Sequence, residues 1–206
     1  MANPKWLDWA QRVNALAQSG LAYTQNPFDI ERYRALQQLA AQMIAAQGEE
    51  DPQTVLNLLS GEPGYATPKL DIRGVVFQHG KILLVKELSD GGWTLPGGFV
   101  DVNESPSTAV EREVREESGY QVKARKLLAL YDRNKHGHPA YLFHLYKIYF
   151  LCDLLGGSPA TSIETGGAQF FGPDEIPSLS ETRTTFEIIQ RMFELASHPE
   201  WPADFD

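Results

Sequence analysis

Residues 98–120 read Gly-Phe-Val-Asp-Val-Asn-Glu-Ser-Pro-Ser-Thr-Ala-Val-Glu-Arg-Glu-Val-Arg-Glu-Glu-Ser-Gly-Tyr. Inside this stretch Glu113, Glu116 and Glu117 stand at i, i+3 and i+4, so a helix would place all three carboxylates on one face. Like charges at i,i+4 each cost roughly 0.2–0.5 kcal/mol in an isolated helix, and stability alone would not select them. A hard divalent cation turns that repulsion into attraction, because Mg²⁺ prefers carboxylate and carbonyl oxygens. The stretch therefore reads as a metal site on a helix. Ser105 is placed to cap that helix, with Pro106 at its first position, and Val110 and Val114 turn toward a core on the opposite side.

The spacing of Gly98, Glu104, Arg112-Glu113, Glu116-Glu117 and Gly119 resembles the complete Nudix box. Only Tyr120, where an aliphatic residue is usual, departs from it. A solvated acidic helix would explain the glutamates but not the glycines at those distances. The resemblance implies a hydrolase that uses Mg²⁺, or Mn²⁺, to direct water at a phosphorus of a diphosphate. It implies Glu113, Glu116 and Glu117 as metal ligands or base, and the backbone carbonyl of Gly98 as a further ligand. Such chemistry needs a cation to neutralise the anionic substrate and lower the pKa of the attacking water. Arg112, four residues before Glu116, is placed to orient that carboxylate through a charge-assisted fork. Glu104 is either a remote ligand or a helix-dipole partner.

Outward from the box, the period of the chain changes. Apolar residues at helical spacing (Trp6, Trp9, Ala10, Val13, Leu16, Ala17) predict a helix over about 5–24, with a stop near Ser19-Gly20. A second helix is expected from Pro27 or Asp29 to Gln47, ended by Gly48. Asp51-Pro52 predicts the cap of a short third helix running to Leu59. From Pro68 strands are expected at 71–77 and 81–86 around a hairpin at Gln78-His-Gly80, then near 124–132, 140–153 and 168–172, with a last helix over 182–196. This order resembles the Nudix α/β/α sandwich with a mixed sheet, an α/β fold, preceded here by a small all-α domain. The expected division is 1–64 and 65–206.

Candidate substrate contacts are scattered. Residues 121–138 form the only basic run, with Arg133, Lys135 and His136 the expected phosphate clamps; Lys123, Arg125 and Lys126 read as solvated charges. Arg73, a cation within an apolar strand, either reaches the phosphates or pairs with Asp71. Trp93 either stacks on a base or packs locally, and Arg183 is a further phosphate candidate. By the family resemblance, Glu164, six residues before Phe170, matches a late carboxylate that serves as ligand or general base. The glycine pair 166–167 suits a mobile closing loop there; the alternative for Glu164 is an exposed loop charge.

The N-terminal segments Trp6-Leu-Asp-Trp-Ala-Gln11, Gly20-Leu-Ala-Tyr23 and Pro27-Phe-Asp29, with Pro68–Arg73 and Asp132–Pro139, resemble one bacterial Nudix subgroup. The resemblance implies a homodimer formed through the N-terminal helices. It also implies a nucleoside diphosphate linked to a small moiety X as substrate, CDP-choline first and ADP-ribose next. A Nudix-fold regulator that binds such ligands without cleaving them is the rival reading, disfavoured by the intact glutamates. The 206 residues carry net charge −9, which argues against a stable nucleic-acid partner, and Cys152, the single cysteine, precludes an internal disulfide. No apolar stretch of about 18 residues is present, so no membrane partner is expected and the reading is cytoplasmic.

Overall fold

Three helices open the computed structural model, which describes residues 4–47 and 50–206. They are α1 (Lys5–Tyr23), α2 (Pro27–Ala45) and α3 (Pro52–Ser60). The Asn26 side chain caps α2 through the Phe28 amide, and Asp51 caps α3 through the Gln53 and Thr54 amides. Gly20 does not stop α1. A Cβ there would lie 2.4 Å from the Tyr33 ring, so this glycine permits close packing of α1 on α2. The expected stop of α2 at Gly48 lies outside the described residues. The buried stripes are Leu7, Ala10, Asn14 and Ala17 on α1, and Gln37, Ala40, Ala41 and Ala45 on α2. Trp9, Leu16, Phe28, Leu36 and Leu39 are left on the outside of the three-helix unit.

The sheet strands are β1 (Lys69–Gln78), β2 (Lys81–Glu87), β3 (Trp93–Thr94), β4 (Tyr120–Asp132), β5 (Leu145–Gly157), β6 (Thr165–Phe171) and β7 (Asp204–Phe205). Their order is β3-β2-β1-β5-β4-β7, with β6 also on β2. The sheet is mixed: β1–β5 and β4–β7 are parallel and the other pairs antiparallel. His79 and Gly80 both have positive φ, 51° and 75°, as a two-residue hairpin turn between right-twisted strands requires. Helix α4 (Pro106–Ser118) covers one sheet face with Ala109, Val110 and Val114 against Ile72, Val76 and Leu83. Helix α5 (Phe186–Ser197) covers the other with Ile188, Ile189, Met192 and Leu195 against Tyr149 and Leu151. This is the expected α/β/α sandwich.

Chain contacts group Lys69–Pro139 with Leu145–Asp206, while Ala140–His144 groups with the helices. The strand expected from 140 therefore begins only at Leu145. Residues 141 and 142 give their carbonyls to Gln11 Nε2, at 2.9 and 3.0 Å, and the Leu142 side chain packs on the helical core. The glycine pair 166–167 is also not in a loop: it belongs to β6, beside a ladder irregularity between Val85 and Glu87.

Candidate active site

Ser105 accepts the Thr108 amide and Pro106 starts α4, which ends on left-handed Gly119 (φ 78°). The helix runs beside an extended strap, residues 95–98, laid along β1 by the bonds Gly74 N–H to Pro96 O and Ile72 N–H to Gly98 O, both 2.8 Å. Gly97 makes this approach possible: at φ 144°, a Cβ would sit 2.0 Å from the Ile72 oxygen. Strap and helix form two walls of a cavity of about 420 Å³, whose lining includes Glu113, Glu116, Glu117, Glu87, Asp71 and Glu164, with Arg73, Arg112 and Arg183.

Arg112 organises the acids nearest it. Its guanidinium reaches Glu104 at 2.9 Å, Glu113 at 2.9 Å and Glu116 at 3.1 Å. Glu104 is thus tied to Arg112 and does not line the cavity. Glu117 points the other way: its Oε2 accepts the Gly97 amide at 2.8 Å. Burial, with Glu113 and Glu87 nearby, pushes the Glu117 carboxyl up to about 7 against the pull of Arg73. Burial raises Glu113 as well. Both shifts come first from burial, with neighbouring carboxylates adding to it.

Of the two sequence alternatives for Arg73, the ion pair with Asp71 is the one the structure contains. Arg73 makes that pair through two bonds of 2.8 and 2.9 Å, holds Leu95 O at 3.0 Å, and still lines the cavity. Behind this pair Lys147 Nζ reaches Asp71 Oδ1 at 2.9 Å. Burial brings the Lys147 ammonium down to about 7, whereas Arg73 and Lys147 overcome burial to hold the Asp71 carboxyl well below its usual range. Glu87, buried and raised by that burial, pairs with Arg183 at 2.9 Å.

The basic run is not brought to this cleft. The Arg133 side chain, 1% exposed, turns inward to Pro139 O and Thr182 O. His136 stacks on Tyr131 and bonds Asp206 at 2.9 Å. Lys135 lines a separate groove with His136. Trp93 packs edge-on to Phe171 in the α5-side core instead of facing the cavity. Glu164 does line it: its amide bonds Ser162 Oγ, and its carbonyl takes the Leu88 amide. Sequence reading missed Glu87 and Lys147. Both sit in phase with buried neighbours of their strands, Val85 for one and Leu145, Tyr149 and Leu151 for the other, and that phase was the available signal.

Among the described residues, no three His, Cys, Asp or Glu side chains already converge as a metal cage. Arg112 and the Gly97 amide hold the carboxylates apart. The donor set is nevertheless all oxygen, and six carboxylates line the cavity with three guanidiniums. Hard divalent cations fit that chemistry.

Two sequence profiles match the chain. One, described as a NUDIX domain, covers residues 68–192, and the other, a UDP-X-like N-terminal oligomerisation domain, covers residues 4–59. A Bacillus subtilis protein provisionally named ADP-ribose pyrophosphatase is 44% identical over 98% of this chain and 97% of its own length. A solved Streptococcus suis ADP-ribose pyrophosphatase shares 40% identity, with TM-score 0.63, over 68% of this chain and 100% of that one. A solved UDP-X diphosphatase shares 33% identity, with TM-score 0.64, over 100% of both chains.

Proposed function

The chain belongs to the Nudix family of pyrophosphohydrolases, and from that membership we propose that it hydrolyses the diphosphate of a nucleoside diphosphate linked to a small moiety X. The products are a nucleoside monophosphate and phosphorylated X. The observation that carries this reading is the surplus of carboxylates around buried Glu117 and Glu113 in one cleft. Glu113, Glu116 and Glu117, with the Gly98 carbonyl, would hold Mg²⁺ or Mn²⁺. When bound, the cation neutralises the diphosphate and acidifies a water. Glu164 or Glu113 would accept the proton of the attacking water, and Arg112 keeps Glu113 and Glu116 oriented. CDP-choline stays among the substrates, now beside ADP-ribose and uridine diphosphate compounds, which the names of the relatives put forward.

The same reading takes residues 1–64 as a dimerisation domain, 65–206 as the catalytic domain and the cytoplasm as the site of action. The apolar side chains left outside the helical unit support the dimer. Among the described residues no helix is long and apolar enough to cross a membrane. A panel of CDP-choline, ADP-ribose and UDP-sugars, assayed with and without Mg²⁺ for both monophosphate products, tests the activity. Binding of these compounds with no metal-dependent turnover of any would overturn hydrolysis in favour of a ligand-binding regulator.

A further inference from the structure

Of the three guanidiniums in the cleft, Arg73 is locked to Asp71 with a side chain only 5% exposed, and Arg112 is shared among Glu104, Glu113 and Glu116. Arg183 differs. Its side chain is 33% exposed, with Nε on Glu87 at 2.9 Å and Nη1 on Ser180 Oγ at 3.3 Å. Nη1 also lies 3.8 Å from Asp90 Oδ2, and a third of the side chain stays open to a ligand.

The backbone beneath Arg183 is held from both sides. Ser180 Oγ donates to Asp90 at 2.8 Å, and the Arg183 and Thr184 amides both turn back to Ser180 O. From the other side come two members of the basic run. Arg133 Nη2 donates to Thr182 O at 3.1 Å, and His138 Nδ1 bonds Glu181 O at 2.9 Å. These are the two carbonyls immediately before Arg183. A carbonyl only accepts, so Nδ1 carries the proton and His138 is a fixed donor. Arg133 Nη1 also holds Pro139 O at 2.8 Å, so one buried side chain ties the 133–139 loop to the 180–184 turn.

We propose that Arg183 is the substrate-binding residue that takes the diphosphate, exchanging Glu87 for a phosphate oxygen, and that Arg133 and His138 are positioning residues that aim it. The proposal rests on the hydrolase reading above. A cleft with twice as many carboxylates as guanidiniums repels a diphosphate, and a planar guanidinium matches phosphate oxygens as a fork. Arg183 alone combines partial exposure with a place in the cleft and a backbone fixed by buried donors. Two members of the basic run thus serve the phosphates from behind, without touching them.

Inorganic pyrophosphate is the probe, titrated into the full-length protein with Mg²⁺ by calorimetry and used as a competitive inhibitor. Arg183→Gln should weaken it roughly tenfold or more, as expected for losing a charge-assisted pair. Arg183→Lys should recover only part, because a point charge lacks the fork. His138→Phe should weaken pyrophosphate by about threefold while the Mg²⁺ activation constant stays put; a merely structural role would lower the melting temperature and leave the pyrophosphate constant unchanged. Pyrophosphate binding within about twofold of wild type in both Arg183 variants overturns the proposal, as does no pyrophosphate binding by the wild type. If Arg183→Gln does not fold, wild-type affinity in Arg183→Lys overturns it as well. Arg183-dependent pyrophosphate binding without turnover of any nucleotide would instead overturn the hydrolase reading and leave this one standing.

Discussion

Replacing Glu117 by Gln should stabilise the metal-free protein while abolishing its activity. In the fold this carboxyl rises from 4.5 to about 7, chiefly through burial and then through Glu113 and Glu87. At about 1.4 kcal/mol for each tenfold change in proton affinity, the ionised form is disfavoured by roughly 3 kcal/mol in the folded state relative to the unfolded chain. The sign follows from linkage: the folded state binds this proton more tightly, so stability is full below about pH 4.5 and is lost as pH rises toward 7. Glutamine has the shape of the protonated acid and cannot ionise; its amide oxygen can still accept the Gly97 amide. Above pH 7 the variant should therefore be more stable, by up to roughly 3 kcal/mol, or about 6–12 °C in melting temperature for a chain of this size. The assay is a set of thermal melts in chelator from pH 5 to 8.5. Coincident melting of variant and wild type at pH 8, or a gap that persists undiminished at pH 5, would refute the reasoning. Added Mg²⁺ should narrow the gap by binding the wild type preferentially. Loss of turnover together with a gain in stability would make Glu117 a case of the usual stability–activity trade-off.

Three further outcomes are expected. Glu116→Gln, at a half-exposed position, should keep its fold by circular dichroism and lose kcat by orders of magnitude; retention of more than about a tenth of turnover at saturating Mg²⁺ would remove Glu116 from the site. Glu164→Gln should lower kcat far more than it raises KM and should shift the acidic limb of the kcat profile, whereas an exposed loop charge would change both constants by less than about twofold. Light scattering should give a dimer for the intact chain at micromolar concentration and a monomer or poorly soluble protein after deletion of residues 1–64; a monomeric intact chain would dismiss the dimer.

The box helix was legible because each signal in it is local. Ser105, Pro106 and Gly119 mark its ends, and the i, i+3, i+4 acids and the Val110/Val114 pair define its two faces. The hairpin at 79–80 and the caps of α2 and α3 are local in the same sense. Arg133 was read as a phosphate clamp because a cation in a basic run looks free to meet an anion; its burial depends on Thr182 O, supplied 49 residues later. Strand β7 escaped notice because two residues carry no periodicity, and it exists only through pairing with Ala129 and Leu130. In the helical unit, periodicity located α1 and α2 but not their inner faces. Apart from Leu7, small residues and the Asn14–Gln37 pair lie inward on these two helices, and Trp9, Leu16, Phe28, Leu36 and Leu39 lie outward.

The grouping of Ala140–His144 with the N-terminal helices changes what the helical unit is as a heritable part. It is not a cassette appended by one tether, since the chain visits it twice and crosses between the units three times, near 68, 139 and 144. A protease cut in the 61–68 linker would leave the helices holding a five-residue loop that is still covalently part of the sheet unit, through Gln11 and the packing of Leu142. Released fragments should therefore co-migrate under native conditions and separate only in denaturant. For the same reason, a helical unit transplanted onto another catalytic core would arrive with one of its own walls missing unless the β4–β5 connection travelled with it.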